Sequence, residues 1–86
     1  MDTDFVIVTC TPSAFKHGLT QENIACAMRE CVYDSIFEGD PERFLLIGFD
    51  NNGNLLEILY NIIDEYSVRV FHAMKCRNTT LSVITY

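Results

Sequence analysis

Three stretches in the second half of the chain are rich in β-branched, aromatic and other apolar residues, and turn residues bound each of them. They cover residues 42–50, 54–63 and 66–77. Asp50-Asn51-Asn52-Gly53 separates the first two and is typical of a β-hairpin turn, because asparagine and glycine tolerate positive φ. Asp64-Glu65 allows only a tight connection between the second and the third. The pattern therefore predicts a three-stranded antiparallel meander.

Two short elements are predicted before the main helix. Residues 5–10 form a β-branched run that favours a strand, and Pro12 interrupts it. The segment from Pro12 to His17 fits a short helix, because proline is favoured at the first helical position after a threonine cap. Gly18 is then expected to end this helix in a left-handed conformation.

The main helix is predicted to begin after an N-cap at Thr20. Apolar residues recur at spacings of three and four, which is the pattern of one buried helical stripe: Ile24, Ala27, Met28, Cys31 and Val32. The helix is expected to end between Cys31 and Asp34. Residues 32–37 are compatible either with the end of this helix or with a short strand. Gly39-Asp40-Pro41 then indicates a turn.

The elements together predict an α+β fold in a single domain spanning residues 1–86. An N-terminal strand and two helices would pack on a three- to four-stranded antiparallel β-meander. Alternate side chains of the middle strand are expected to face the apolar stripe of the main helix: Leu56, Ile58, Tyr60 and Ile62. The other face of this strand is only half polar, which indicates that something packs there. Residues 79–86 are too few and too β-branched to predict a further helix.

The last strand carries a large share of the positive charge. The chain has a formal net charge of −6 and six lysine and arginine residues, three of which lie within residues 68–77. Regular alternation places these three cations on one face: Arg69, Lys75 and Arg77. The opposite, core face would receive Val68, Val70, His72, Met74 and Cys76. The sequence therefore predicts a basic stripe along one strand, and Glu57 is expected to pair with Arg69 or Arg43 across strands rather than act as a catalytic base.

Composition argues against several classes of function. The four cysteines lack CxxC spacing and the chain has only two histidines, so we expect neither a zinc site nor a disulfide framework, and no cofactor. The acidic balance argues against broad binding to a nucleic-acid backbone, so any RNA contact would be local. No apolar run reaches the roughly 18 residues of a membrane span, and a signal-peptide pattern is missing. We therefore expect a cytoplasmic protein with no membrane partner.

Two sets of residues have the chemistry for phosphodiester cleavage without a metal ion. Such cleavage needs a group that removes the 2′-OH proton, a donor for the leaving oxygen and cations for the developing charge. Lys16-His17-Gly18 precedes the main helix, whose N-terminus attracts anions. The second set combines cations with a histidine: Arg43, Arg69, His72, Lys75 and Arg77. A capping role for His17 and a partly buried structural role for His72 are the alternatives.

Several motifs resemble, as a set, a group of small bacterial proteins. They are Lys16-His17-Gly18 before a capped helix, Ile47–Asp50, Gly53–Glu57, and Val70–Met74 followed by Arg77. This combination spans residues 12–77 and resembles the BrnT-type toxins of type II toxin–antitoxin systems, together with a related bacterial domain of unknown function. The resemblance implies a compact α+β ribonuclease with a RelE-like sheet, which a cognate antitoxin neutralises. BrnT toxins have Ser-Ala-Arg where this chain has His72-Ala73-Met74.

The leading hypothesis is therefore the toxin of a type II toxin–antitoxin system, acting as a metal-independent endoribonuclease. Its candidate catalytic residues are His17, Arg69, His72, Lys75 and Arg77. Its candidate RNA- and phosphate-binding residues are Lys16, Arg43, Arg69, Lys75 and Arg77. Strand alternation favours His17 over His72 for proton transfer. The alternative is a non-catalytic interaction module that forms homo- or hetero-oligomers, a homodimer among them, through the half-apolar sheet face.

Overall fold

The computed structural model describes residues 7–37, 39 and 42–82, and these residues form one α+β unit. Its elements in chain order are β1 (Ile7–Cys10), a 3₁₀ turn (Pro12–Phe15), α1 (Gln21–Arg29), β2 (Cys31–Ile36), β3 (Phe44–Phe49), β4 (Leu55–Asp64), β5 (Ser67–Lys75) and α2 (Asn78–Leu81). The predicted parts of the first strand at residues 5–6 and of the turn at residues 40–41 lie outside the described residues. The predicted α+β class is confirmed.

The five strands form one mixed sheet in the order β1-β5-β4-β3-β2. Strands β2 to β5 are an antiparallel meander, while β1 lies parallel to β5 at one edge. The meander has one strand more than its three predicted stretches, because residues 32–37 contribute most of β2 instead of prolonging the helix. The sheet is mixed because β1 is parallel to β5. No local sequence pattern indicates this pairing between distant segments.

The predicted N-cap of α1 is confirmed. The Thr20 hydroxyl accepts a hydrogen bond from the backbone N–H of Asn23, and the Asn23 side chain accepts one from the backbone N–H of Thr20. These reciprocal bonds satisfy donors that the first helical turn would otherwise leave open. The helix ends at Arg29, earlier than predicted, because the chain enters β2 at Cys31.

One glycine allows α1 to lie directly on the sheet. Gly48 is buried in β3, and a Cβ atom at this position would overlap the backbone carbonyl oxygen of Ala27 in the helix. No other residue type fits such a close approach of helix and strand without movement of the backbone. Gly18 and Gly53 serve a different purpose, since both have positive φ and occupy turns. The left-handed conformation predicted for Gly18 is confirmed.

The core lies between α1, the 3₁₀ turn and one face of the sheet. Its buried residues form one cluster: Ala14, Ile24, Ala27, Met28, Leu46, Leu56, Ile58, Tyr60, Val68, Val70 and Ala73. The predicted packing of Leu56, Ile58 and Tyr60 with the helix stripe is confirmed. Ile62 was predicted wrongly, because it is 47% exposed. A nine-residue helix spans about 14 Å, whereas a ten-residue strand spans about 33 Å, so α1 cannot cover all of β4.

A bulge in β5 reverses the predicted alternation. Tyr60 pairs with Val70, and the preceding residue Leu59 pairs with His72, which leaves Phe71 as an extra residue. Such a bulge directs every later side chain of the strand to the opposite face. Ala73 is therefore buried in the core, whereas His72 lies on the face of the sheet away from α1, which we call the outer face. The predicted placement of His72 on the core face is wrong.

The same bulge divides the predicted basic stripe. Arg69 pairs in register with Asn61 and precedes the bulge, on the outer face. Lys75 pairs with Leu56, a core residue, and thus lies at the end of the strand with the opposite orientation. Arg77 follows the strand altogether. The three cations consequently do not form one row, and the prediction of a stripe is wrong.

The chain after β5 forms one turn of helix, α2, where no helix was predicted. Residues 83–86 lie outside the described residues. Helices that are long and apolar enough to cross a membrane do not occur in the described part of the chain.

Candidate functional site

Four side chains with proton-transfer or phosphate-binding chemistry meet at the outer face: His17, Glu57, His72 and Arg77. We call them the His–Glu–Arg cluster. They come from the segment before α1, from β4, from β5 and from the residue that precedes α2. The fold thus brings together residues that are up to 60 positions apart in sequence, between His17 and Arg77.

Glu57 lies at the centre of the cluster. Its side chain is only 3% exposed, although it belongs to the outer face of β4, where it pairs in register with Met74 on one side and Ile47 on the other. Burial alone would raise the pKa of this carboxyl. Hydrogen bonds from the Arg77 side chain and backbone, from Thr80 and from His72 outweigh that effect, and they hold the pKa of Glu57 below its ordinary value. Glu57 is therefore a buried carboxylate that its neighbours keep ionised.

Arg77 binds Glu57 through three donors. Its Nη2 lies 2.8 Å from Oε2 of Glu57, and its Nε and backbone N–H lie 3.2 Å and 3.1 Å from Oε1. This two-pronged geometry fixes the guanidinium plane. The side chain nevertheless remains 59% exposed, so its remaining N–H groups face solvent. Arg77 can hold an anionic ligand while its orientation is fixed from below by Glu57.

His72 reaches the cluster because of the bulge at Phe71. Its Nε2 lies 3.3 Å from Oε2 of Glu57, and its side chain is 25% exposed. A carboxylate next to one ring nitrogen orients an imidazole and determines which nitrogen carries the proton of the neutral ring. The predicted pairing of Glu57 with Arg69 or Arg43 is wrong, since Arg77 and His72 are the observed partners.

His17 is placed beside His72 by the 3₁₀ turn. The backbone N–H of Thr11 donates to the carbonyl of Val70, and the Ser13 hydroxyl donates to the carbonyl of Phe71, so the turn docks on β5 where β1 ends. The rings of His17 and His72 then meet edge to face, with centroids 5.6 Å apart and planes at 75°. His17 is exposed. One imidazole held by a carboxylate thus lies next to a second that is open to solvent.

The other predicted site residues lie outside this cluster. Lys16 is exposed at the end of the 3₁₀ turn, and Arg69 and Lys75 are exposed on β5. The guanidinium carbon of Arg43 lies 4.9 Å from the ring centroid of Phe71. Of the residues predicted from the sequence, the structure therefore unites His17, His72 and Arg77. It adds Glu57, for which the sequence predicts a structural pairing with a different cation.

A second polar pair, formed by the buried Tyr60 and the half-buried Asp34, lies on the core side of the sheet. The Tyr60 hydroxyl donates to both carboxylate oxygens of Asp34, at 2.8 Å and 2.9 Å, and the Tyr60 ring stacks on Phe44. Burial, followed by this hydrogen bond, raises the pKa of Tyr60. Burial likewise raises the pKa of Asp34. This pair links β2 to β4 at the border of the core and shares no residue with the His–Glu–Arg cluster.

No protein-family model, no curated protein and no solved structure matches the chain. The chemistry of the cluster therefore has to be judged from its residues. Within the described residues, no group of three or more histidine, cysteine, aspartate or glutamate side chains has the arrangement of a metal site. Two adjacent imidazoles beside an exposed guanidinium can accept a proton from one oxygen, return a proton to another and stabilise negative charge between them.

Proposed function

We propose that this protein is a metal-independent endoribonuclease and the toxin of a type II toxin–antitoxin system. One observation carries the proposal: the rings of His17 and His72 lie 5.6 Å apart, beside the Glu57–Arg77 ion pair. A single phosphodiester placed over Arg77 would be within reach of both imidazoles. Cleavage of RNA needs these functions together, because the 2′-oxygen must lose a proton while the 5′-oxygen gains one.

The proposed reaction is a transphosphorylation. One imidazole accepts the 2′-OH proton as the 2′-oxygen forms a bond to phosphorus. The bond between phosphorus and the 5′-oxygen breaks, and the second imidazole donates a proton to that oxygen. The products are a 2′,3′-cyclic phosphate and a free 5′-OH, so no water or metal ion is consumed. The guanidinium of Arg77 would stabilise the extra negative charge on the phosphoryl oxygens.

The surroundings of the two histidines favour different roles. The carboxylate of Glu57 contacts Nε2 of His72 and orients its ring, as an aspartate orients the histidine that acts as the base of a hydrolase triad. We therefore assign His72 as the base and the more exposed His17 as the acid. Glu57 is a positioning residue, because it contacts His72 and Arg77 and is too buried to reach RNA itself.

The assignment as a toxin rests on the resemblance to BrnT-type toxins, to which Lys16-His17-Gly18 and Arg77 of this chain contribute, whereas those toxins have serine at the position of His72. A cognate antitoxin would then neutralise the protein, and its simplest mode of action is to cover the exposed side of the His–Glu–Arg cluster. The cytoplasm, where RNA and ribosomes are found, is the compartment that this function requires.

The test is induction of the chain alone in a bacterial host, followed by RNA cleavage by the purified protein in the presence of a chelator. We expect growth arrest and products that end in a 2′,3′-cyclic phosphate. His17→Ala and His72→Ala should each lower the cleavage rate by about 10² or more, the usual loss of a general acid or base. Arg29→Ala, an exposed change on α1, is the matched control. If the wild-type chain neither arrests growth nor cuts RNA, the proposal is refuted.

An interaction module is the second candidate, and the outer face of the sheet favours it. Phe49 is 44% exposed there, and its register partner Leu55 is only half-buried. Such a module would form homo- or hetero-oligomers through this face. Light scattering over a range of concentrations distinguishes it: a mass of two chains that Phe49→Ser reduces to one, combined with a failure to cleave RNA, would favour the module.

A further inference from the structure

An open cleft of about 330 Å³ lies next to the His–Glu–Arg cluster, and none of the four cluster residues lines it. Among the residues that the structure describes, its lining consists of Glu42, Arg43, Asn61 and Phe71. Phe71 directly precedes His72 in β5, so the cleft begins one residue from the proposed base. Asn61 and Glu57 share the outer face of β4 and are four residues apart, which corresponds to about 13 Å along a strand.

The cleft has planar surfaces suited to a nucleobase. The guanidinium of Arg43 lies over the ring of Phe71, with 4.9 Å between the guanidinium carbon and the ring centroid. Unpaired bases of RNA stack on aromatic rings and on arginine planes. Asn61 is half-buried beside them, and its amide offers both a donor and an acceptor to the edge of a base. A stacking plane and an edge-reading amide therefore occur together.

The charges of the lining also favour a base over a phosphate. Glu42 and Arg43 carry opposite charges, so the lining residues within the described part of the chain have no net positive charge. A phosphate-binding groove is instead lined by several cations. A carboxylate that would repel a phosphate can accept hydrogen bonds from the amino and imino groups of a base. The lining thus fits a neutral, planar ligand with polar edges.

We propose that this cleft is a nucleobase subsite, which binds one unpaired base of single-stranded RNA adjacent to the phosphodiester held at the His–Glu–Arg cluster. That the ligand is RNA rests on the proposed function, whereas recognition of a base by the cleft does not. The base would lie against Arg43 and Phe71, with Asn61 reading its edge. The subsite would hold the substrate in register and give the cleavage a preference for certain bases.

Binding is measured with the His17→Ala variant, so that RNA remains intact. Nucleosides, RNA dinucleotides and inorganic phosphate are titrated separately into isotopically labelled protein, and backbone amide shifts are followed by NMR. We expect nucleosides and dinucleotides to shift the amides of Asn61 and Phe71, with saturation. Arg43→Ala and Asn61→Ala should weaken dinucleotide binding on the order of tenfold, the scale of one lost stacking contact. Arg29→Ala removes a cation from the other side of the sheet and should leave binding unchanged.

The outcomes separate the subsite from the proposed function. If nucleosides shift the amides at the cleft but the wild-type protein does not cut RNA, the subsite is supported and the proposed ribonuclease activity is refuted. RNA cleavage by the wild type with no nucleoside shifts at Asn61 and Phe71 overturns the subsite and leaves the ribonuclease in place. Shifts at the cleft with inorganic phosphate alone also overturn it. A loss of affinity in Arg43→Ala that is equal for all bases and disappears at high salt would identify a phosphate contact instead.

Discussion

The Nε2 atom of His72 lies 3.3 Å from the carboxylate of Glu57 because β5 has one extra residue, Phe71, between the partners of Leu59 and Tyr60 in β4. In a regular strand, His72 would have faced the core with Val70. The extra residue Phe71 turns it to the outer face, where it meets Glu57, Arg77 and His17. A local irregularity of the sheet thus assembles the cluster to which we assign the chemistry.

Glu57→Gln should make stability less dependent on pH in the acid range. The pKa of Glu57 is lower in the folded protein than its ordinary value of 4.5. The stabilisation that the ionised group contributes is therefore fully present above pH 4.5 and is lost as the pH falls through the folded pKa. At neutral pH the variant should lose on the order of 1–3 kcal/mol, because hydrogen bonds to a buried charge are replaced by weaker ones.

Urea unfolding of wild type and Glu57→Gln at several pH values between about 3 and 7 tests this linkage. The raised pKa of Asp34 acts in the opposite direction, since its contribution is lost as the pH rises, but it is common to both proteins. The difference between the two curves should consequently shrink towards low pH. A difference that stays constant over the whole range would show that the pKa of Glu57 is the same in the folded and the unfolded protein.

The two histidines should both be required for RNA cleavage. Strand alternation alone had favoured His17, because it directed His72 into the core, and the bulge removes that reason. We expect His17→Ala and His72→Ala to lower kcat with little change of KM, and to remove opposite limbs of the pH–rate profile. Loss of the same limb in both variants would contradict the assignment of separate acid and base roles. Circular dichroism provides the control for folding.

Much of the fold follows from signals that are local in sequence. The cap formed by Thr20 and Asn23, the Asp50–Gly53 turn and the alternation of Leu56, Ile58 and Tyr60 each involve residues a few positions apart. In the turn, the Asp50 carboxylate accepts the backbone N–H groups of Asn52 and Asn54. The side chains themselves specify such arrangements, so propensities and periodicity suffice to predict them.

The site depends on pairings between distant segments, which is why strand alternation predicts the wrong face for His72. The 3₁₀ turn reaches the bulge through the Ser13 hydroxyl and the Phe71 carbonyl, 58 positions apart. Arg77 finds Glu57 only after the strand has ended. The sequence pattern identifies residues of the cluster, as the prediction of His17, His72 and Arg77 illustrates. It does not reveal that Phe71 forms a bulge in β5, and this bulge determines which side chains meet.

Gly48→Ala should destabilise the protein, because its new methyl group would overlap the carbonyl oxygen of Ala27. Backbone is less able to yield than the end of a flexible side chain, so α1 or β3 must shift. We expect a loss of about 1–3 kcal/mol or more in the free energy of unfolding, as overpacked cores show. Ser35→Ala, an exposed change in β2, serves as the control and should stay within about 0.5 kcal/mol of wild type.

Two isoleucines on the same strand should respond differently to truncation. Ile58 is fully buried in the core, whereas Ile62 is 47% exposed. Ile58→Ala should cost about 2–5 kcal/mol, the range for buried large-to-small changes. Ile62→Ala removes the same atoms from a position that α1 does not cover, so its cost should stay below about 1 kcal/mol. Equal losses in chemical denaturation would mean that the face of β4 is assigned incorrectly.

The three cations near the end of the chain should differ sharply in their effect on RNA cleavage. Arg77 is the only one of them within the His–Glu–Arg cluster, so Arg77→Ala should lower the rate by about 10², as the loss of a donor to the transition state does. Arg69 lies on the outer face next to Asn61, and we expect Arg69→Ala mainly to weaken RNA binding and its dependence on salt. Lys75 points to the other side, so Lys75→Ala should change little.

Arg77→Lys separates the charge of Arg77 from its geometry. Lysine keeps the positive charge but cannot form the two-pronged contact with Glu57 while it faces a phosphate. We therefore expect Arg77→Lys to retain RNA binding and its salt dependence but to cleave nearly as slowly as Arg77→Ala. Single-turnover cleavage rates and binding titrations at two salt concentrations measure the two effects independently. If Lys75→Ala lowers the cleavage rate as much as Arg77→Ala does, the cations act on RNA together as a basic stripe. The separation of Lys75 from the other cations by the bulge at Phe71 would then have no part in the function.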